Sequence, residues 1–370
     1  MPTKALADIV EGKRIMATRG NCLTRRDVLR GLGAGALGLL AGHKIFGPAI
    51  SHAATGSPLL GKDQLYRKPA PPAKVALIKG NDRREIVYQA LKNIEGEVLA
   101  SIGGKKILIK PNFVSCEIPL CATHVDAVRA ILDFLTPHYK QQIIIGESTA
   151  MKKRTPEGFK NYGYLALEKQ YNVKLVDLNE NPSYEYRYVF GEGHKPLPVR
   201  IISAFLDPNT YIISAARMKT HDRVLVTLSL KNVLLGAPLN DYSKNDKWSL
   251  HTGENIINNF CHFNMFHLAQ EIYPDLAVID GFEAMEGNGP THGTPVDSRV
   301  ALASLDPLAA DTVATKIMGF DPNRILYLRA MNEAGMGQAD LGKIEVIGTA
   351  LSQCQYKFKP HEYMAKVYQL

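Results

Sequence analysis

Cysteine is scarce in this sequence, with five residues in a chain of 370. Such a low content excludes a small disulfide-stapled scaffold. No C-x2-C-x2-C run is present either, so the sequence contains no iron–sulfur cluster motif. Cys116 and Cys121 are separated by four residues, which leaves three interpretations open: a disulfide, two free thiols or part of a metal site.

Acidic residues are outnumbered, and the formal net charge is +8. Most of this excess lies in residues 1–54, which contain eight Lys or Arg and three Asp or Glu. The remaining chain has 36 basic and 33 acidic residues. A balance this close to zero lacks the concentrated positive charge of a nucleic-acid-binding domain. We therefore expect no nucleic-acid partner.

The N-terminal segment has no apolar run of the roughly 20 residues that cross a bilayer. Its apolar run, residues 31–42, is shorter and rich in glycine. Arg25 and Arg26 precede this run, and the small residues 51–54 follow it, which is the order of a twin-arginine signal peptide. Residues 1–54 are predicted to direct export to the periplasm through the twin-arginine translocase, with cleavage near Ala54. An uncleaved membrane anchor and a buried glycine-rich helix are the alternatives.

Residues 55–73 are predicted to be a proline-rich linker, residues 74–350 the folded domain and residues 351–370 a tail. Within the domain, short apolar runs alternate with segments of helical periodicity. This alternation predicts an α/β fold with a mostly parallel sheet flanked by helices, in one or two lobes. Residues 184–202 are predicted to form a short extended insertion. Strands are predicted at 75–78, 106–110, 142–146, 173–178, 211–215, 276–279, 299–303 and 344–347, and helices at 85–94, 124–135, 156–171 and 308–318.

Polar residues follow several predicted strands at the point where each apolar run ends. Ligands of parallel α/β sheets bind beyond the carboxyl ends of the strands, so these residues form the candidate site. Lys110, Lys219 and Lys231 are predicted to hold an anion, because ammonium groups favour a carboxylate or a phosphate. Solvated lysines at a sheet edge are the alternative. The predicted ligand-binding set also contains Asn112, Thr220, Asn232 and Asn288.

Histidines and carboxylates supply the predicted chemistry. His221 and His251 lie beside lysines in the sequence, and imidazoles act as metal ligands or as general bases near neutral pH. Glu286 is predicted to be a further catalytic residue or, together with Asp280, a ligand of a divalent metal. A structural role is the alternative for each of these residues.

A glycine- and proline-rich segment, residues 281–295, contains Glu286 and Asn288. Its four glycines and two prolines permit turns and close backbone approach. We expect a loop whose backbone N–H groups form an anion nest, and a purely structural loop is the alternative. The segment matches neither a nucleotide P-loop nor the G-x-G-x-x-G spacing of a dinucleotide-binding turn.

Six ordered motifs, extended by Asp306-Pro307 and Asp311, resemble the family that carries domain of unknown function 362. The resemblance covers residues 74–348 and implies an α/β fold. Some relatives in this family carry ferredoxin-like cluster segments, which this sequence lacks. The motifs are residues 109–112 (IKPN), 122–124 (ATH), 218–221 (MKTH), 229–232 (SLKN), 278–281 (VIDG) and 285–290 (MEGNGP).

Together these features predict an exported α/β enzyme that binds a small anionic molecule, with a divalent metal as a candidate cofactor. A non-catalytic periplasmic factor that binds and delivers a cofactor or a metal is the alternative. A third alternative is a redox partner protein, which would require a bound chromophore.

Overall fold

A computed structural model describes residues 15–16, 22–23, 70–251 and 260–370. The chain divides into two compact units, Met1–Thr55 and Gly56–Leu370. In the first unit, strand β1 (Ile15–Met16) pairs antiparallel with strand β2 (Cys22–Leu23). Apart from these four residues, the predicted signal peptide lies outside the described residues, as do linker residues 55–69.

The second unit is built on a nine-stranded sheet and a separate two-stranded hairpin. The hairpin consists of β7 (Tyr184–Phe190) and β8 (Pro196–Ile202), as predicted for residues 184–202. The strands of the large sheet are β3 (Ala73–Lys79), β4 (Lys106–Lys110), β5 (Ile143–Glu147), β6 (Val173–Asp177), β9 (Thr210–His221), β10 (Leu225–Thr227), β11 (Leu276–Asn288), β12 (His292–Ser304) and β13 (Ile344–Gly348).

The large sheet is mostly parallel. Eight strands follow the order β13-β3-β12-β11-β9-β4-β5-β6, and β10 pairs antiparallel with the end of β9. Along the eight-strand path, β12 is antiparallel to both of its neighbours, and every other pair is parallel. The predicted α/β class with a mostly parallel sheet is therefore confirmed.

Helices cover both faces of this sheet. Successive strand residues point to opposite sides, so the strands contribute apolar side chains to a core on each face. In β4, Ile107 and Ile109 join one apolar core, and Leu108 joins the other. The first core is completed by helices Arg83–Lys92, Glu95–Ile102, Val125–Leu135, Thr155–Asn161 and Leu167–Gln170. The second is completed by helices Ser229–Leu234, Phe260–Leu268, Pro307–Ile317, Leu326–Glu333 and Glu362–Tyr368. Within the described residues, no helix is long and apolar enough to cross a membrane.

Two predicted segments differ in character from the structure. The helix predicted at residues 156–171 is interrupted, because Gly163 adopts a left-handed φ of 79°, a conformation that ends helices. Residues 351–370, predicted as a tail, contribute to the second core through Phe358, Met364 and Tyr368. The backbone N–H of Phe358 also donates to the carbonyl of Met318. The final segment is therefore an integral part of the folded unit.

The glycine-rich segment is mostly strand and not a loop. Residues 281–288 and 292–295 belong to the long arms of β11 and β12, which pair as far as Asn288 and His292, and residues 289–291 form the turn between them. Backbone groups predicted to form an anion nest are instead used in this antiparallel ladder. The glycines permit close approach, since a Cβ at Gly293 would overlap the Glu286 carbonyl and one at Gly289 would overlap the Thr220 carbonyl.

Candidate functional site

A cavity of about 260 Å³ lies at the carboxyl ends of three neighbouring strands. Lys110 ends β4, Glu147 ends β5 and His221 ends β9, and all three side chains line the cavity. The remaining walls come from helix Ser229–Leu234, the 3₁₀ turn Asp246–Leu250 and the tip of the β11–β12 hairpin. This is the sheet edge at which parallel α/β folds bind ligands.

Lys110 is the centre of a saturated buried network. Its Nζ donates to both carboxylate oxygens of Glu147, at 3.1 and 3.0 Å, to the Pro111 carbonyl at 2.8 Å and to Asn232 Oδ1 at 3.1 Å. Burial lowers the pKa of Lys110, and the adjacent Glu147 carboxylate opposes that shift. Gly236 is required beside this network, because a Cβ there would overlap the Lys110 side chain. Lys110 therefore connects β4 with β5 and with helix Ser229–Leu234 at the base of the cavity.

Lys219 lies behind the cavity wall. It is fully buried, and its Nζ donates to Asn112 Oδ1 and to the Cys121 carbonyl. Burial lowers the pKa of Lys219 to about 7. Asn112 itself lines the cavity, so Lys219 orients a cavity residue from outside.

Lys247 is a third buried lysine with saturated donors. Its Nζ donates to Ser148 Oγ at 3.0 Å and to the carbonyls of Gly236 and Pro238, both at 2.6 Å. Burial holds the pKa of Lys247 well below its ordinary value, and the nearby Lys110 charge adds to this shift. Its three neutral acceptors fix the turn that carries Trp248 and His251.

Lys231 differs from the other three lysines. It lines the cavity and is only 7% exposed. Among the residues that the structure describes, its Nζ has neither a hydrogen-bond acceptor nor an ion-pair partner. Burial lowers the pKa of Lys231, and the Cys261 thiol and the Asp222 carboxylate oppose that shift. Among the described residues of the cavity, Lys231 is thus an amine whose bonding capacity is unused.

His221 and His251 form a pair of neutral imidazoles. Their ring centroids are 5.8 Å apart, with planes inclined by 28°. Burial holds the pKa of His221 well below its ordinary value and lowers the pKa of His251 to about 3, and the positive charge of Lys231 lowers both further. Both rings are therefore uncharged near neutral pH.

Contacts at Nδ1 assign the tautomer of His251. Its Nδ1 lies 2.9 Å from the Lys247 carbonyl, which can only accept, so the proton is on Nδ1 and Nε2 has a free lone pair. Nδ1 of His221 lies 3.0 Å from the backbone N–H of Arg223, a donor, and 3.1 Å from the Asp222 carboxylate, an acceptor. The pair therefore offers an acceptor nitrogen on His251 beside the second uncharged ring.

Of the eleven site residues predicted from the sequence, six line this cavity: Lys110, Asn112, His221, Lys231, Asn232 and His251. Lys219 contacts Asn112, as described above. Thr220 is turned away and donates from Oγ1 to the Gly287 carbonyl at 2.9 Å. Asn288 Oδ1 accepts from the backbone N–H of Glu362 at 3.1 Å. Thr220 and Asn288 therefore serve contacts of the hairpin and of the final helix.

Asp280 and Glu286 do not form the predicted metal pair. They are six residues apart on β11, which separates their Cα atoms by about 20 Å at the rise of an extended strand. Asp280 lies 3.3 Å from the Arg83 guanidinium, whereas a Glu286 oxygen accepts from the backbone N–H of Lys359 at 2.9 Å. Neither side chain lines the cavity, so the catalytic role predicted for Glu286 has no support from its position.

Other candidate metal ligands give no cluster. Over residues 70–251 and 260–370, no three His, Cys, Asp or Glu side chains are grouped closely enough to hold a metal ion. Cys116 and Cys121 are buried free thiols. Burial raises the pKa of the Cys116 thiol to about 11. Of the three interpretations of this pair, the structure agrees with two free thiols.

Sequence reasoning missed Lys247 and Trp248 as cavity residues. Both lie in a 3₁₀ turn that follows no strand, so the rule of polar residues at strand ends cannot find them. Trp248 is the only tryptophan of the chain and is 54% exposed. Its ring lies 5.7 Å from that of His251. The signal available in the sequence was a tryptophan close to a histidine.

Comparisons with known proteins identify the family. Residues 107–316, more than half of the chain, match the family described as Domain of unknown function (DUF362). The chain belongs to this family. It is 27% identical over 235 residues to the Thylakoid-associated protein sll1697 of Synechocystis, a match that covers 63% of this chain and 69% of that protein. A crystal structure of a Thermotoga maritima protein matches with a TM-score of 0.40 and 13% identity, over 70% of this chain and 60% of that one.

Proposed function

We propose that this DUF362 protein is an enzyme that binds a small anionic substrate in the cavity at the ends of β4, β5 and β9. The observation that carries the proposal is the buried Lys231 amine, which lines the cavity without a partner among the described residues. A buried cation without a counter-charge is costly, and a bound carboxylate or phosphate would remove that cost. Four cationic and two anionic side chains line the cavity: Lys110, Arg223, Lys231 and Lys247 against Glu147 and Asp222.

The size of the cavity supports a small ligand. At about 260 Å³, it falls just below the range of roughly 300–1,000 Å³ that accommodates drug-sized molecules. The two histidines support acid–base chemistry on such a ligand. His251 would accept a proton at Nε2, since the contact of its Nδ1 with the Lys247 carbonyl leaves the Nε2 lone pair free.

Calorimetric titration tests the anion site. We would titrate phosphate, sulfate, acetate and pyruvate into the purified protein at constant ionic strength. Lys231→Met should weaken binding by about tenfold or more, because a lost charge contact of about 1.4 kcal/mol corresponds to that factor. Lys195→Met is the matched control, since Lys195 is exposed on the β7–β8 turn. Equal binding by the two variants, or no binding of any anion by the wild type, would contradict the proposal.

A second experiment separates an enzyme from a non-catalytic carrier. Small anions that co-purify with the protein would be released by denaturation, identified by mass spectrometry and incubated with fresh protein. We expect the wild type to convert the released compound and His251→Gln to leave it unchanged. A compound that binds stoichiometrically and is never converted would support the carrier instead.

We also propose export to the periplasm through the twin-arginine route. The support is the sequence of residues 1–54, and the name of the Synechocystis relative states that it is associated with thylakoids. Replacing both Arg25 and Arg26 by lysine should leave the protein in the cytoplasm at its precursor size. Unchanged recovery of that double variant in the periplasmic fraction would refute the proposal.

A further inference from the structure

The four buried lysines around the cavity fall into two chemical classes. Lys110, Lys219 and Lys247 each donate to two or more acceptors at hydrogen-bond distance. A lysine held in this way has its N–H groups committed to protein acceptors and is fixed in place. Lys231 has no such contact among the described residues and borders the open space. It is therefore the one of the four that can react with a molecule in the cavity.

Burial lowers the pKa of Lys231, so its ammonium gives up a proton more readily than that of an exposed lysine. The Cys261 thiol and the Asp222 carboxylate oppose that shift, and the Asp222 carboxylate makes its close contact with Nδ1 of His221. The other neighbours of Lys231 in the cavity include the neutral rings of His221 and His251. Lysines that act as nucleophiles are found in such desolvated sites, because the free amine is the reactive form.

We propose that Lys231 forms an imine with the carbonyl carbon of a small 2-oxo acid. This inference rests on the proposed function, since it uses the same cavity and the same anion site. The carboxylate of the substrate supplies the negative charge that the site accepts, and its neighbouring carbonyl group supplies the electrophile. The product is a protonated imine, which keeps the positive charge beside the carboxylate.

The step balances within the cavity. The Lys231 ammonium first transfers a proton to Nε2 of His251, the nitrogen with the free lone pair. The amine lone pair then forms a C–N bond to the carbonyl carbon as the C=O π bond breaks, and a proton passes from the attacking nitrogen to the carbonyl oxygen, which becomes a hydroxyl group. Return of the proton from His251 to this hydroxyl allows the C–O bond to break. Water leaves, and no oxidant or reductant is consumed.

Reductive trapping tests the imine. The full-length protein would be incubated with glyoxylate or pyruvate in the presence of cyanoborohydride, which reduces an imine to a stable secondary amine. Intact-mass measurement and peptide mapping would then locate the adduct. We expect one adduct per chain on Lys231, and its loss in Lys231→Arg, which keeps the charge but cannot form an imine. Lys195→Arg, at an exposed lysine, should be labelled like the wild type.

Parallel calorimetry with pyruvate distinguishes the two possible failures. Reversible binding of pyruvate by the wild type without an adduct on Lys231 would overturn the imine and leave the anion site standing. Adducts spread over exposed lysines, unchanged in Lys231→Arg, would overturn it equally. If the wild type binds neither pyruvate nor phosphate and forms no adduct, the proposed function fails together with this inference. Protection of Lys231 from labelling by excess phosphate would support both.

Discussion

Replacement of Glu147 by glutamine should strongly destabilise the fold, because Glu147 neutralises Lys110 inside the protein. Both side chains are at most 2% exposed, and the ion pair is 3.0 Å long. Each carboxylate oxygen also accepts from a backbone N–H: Oε1 from Ser148 at 2.8 Å and Oε2 from Phe113 at 3.2 Å. Glutamine presents an NH₂ group at one of these positions, where it faces two donors.

The magnitude follows from the burial of the pair. Removing one partner of a buried ion pair costs about 3–5 kcal/mol, since the other charge stays buried without compensation. Lys110 would keep the Pro111 carbonyl and Asn232 Oδ1 as acceptors, so we expect a loss of about 3 kcal/mol. The double variant Lys110→Met/Glu147→Leu should recover stability relative to Glu147→Gln, because it removes both charges at similar volume.

Urea unfolding followed by circular dichroism measures this loss. The matched control is Glu97→Gln, because Glu97 makes an ion pair with Lys74 at 2.6 Å in which both side chains are more than 40% exposed. That substitution should change the unfolding midpoint little, as exposed ion pairs contribute little to stability. The reasoning is refuted if Glu147→Gln and Glu97→Gln shift the midpoint equally.

Three further predictions concern the stability of the fold. Gly236→Ala should cost about 1–3 kcal/mol through overlap with the Lys110 network, whereas Gly96→Ala, in an open helical position, should be neutral or stabilising in the same urea assay. Burial lowers the pKa of His262 to about 3, so the unfolded chain binds the extra proton. Between pH 6.5 and about 3, stability should fall by about 1.4 kcal/mol per pH unit for this residue alone, and His262→Gln should show a shallower fall; an equal slope would contradict the assignment. Asp311 accepts from the backbone N–H groups of Ser229 and Leu230 at 2.8 and 3.1 Å, so Asp311→Ala should cost about 1–3 kcal/mol and weaken anion binding in calorimetry; wild-type binding would show that this contact does not position Lys231.

Part of the site was predictable from the sequence because strand ends are marked locally. Lys110 ends an apolar run that is a strand in the structure, and His221 ends β9. Lys231 and Asn232 lie on the short helix that follows β10, which turns them back to the same sheet edge. Residues that are distant in sequence therefore lie together at one edge of the sheet, as expected for a parallel topology.

Asp280 and Glu286 were misplaced for one reason. The apolar run at residues 276–279 marks only the buried beginning of β11, which continues to Asn288 because its far half pairs with β12. Asp280 and Glu286 consequently lie within a strand and not at its end. The hydrophobic pattern records burial by the core, whereas the pairing of two polar strand arms leaves no comparable pattern. Lys247 was missed because the turn that carries it is held by side-chain contacts distant in sequence.

The location of a bound anion tests the central claim most directly. Crystals of the protein would be soaked separately in bromide and in selenate, and anomalous diffraction would be collected at the bromine and selenium absorption edges. We predict a peak in the cavity beside Lys231, within reach of the His221 and His251 rings, and its loss in crystals of Lys231→Met. Peaks confined to exposed lysines and arginines, with none in the cavity for either anion, would contradict the account.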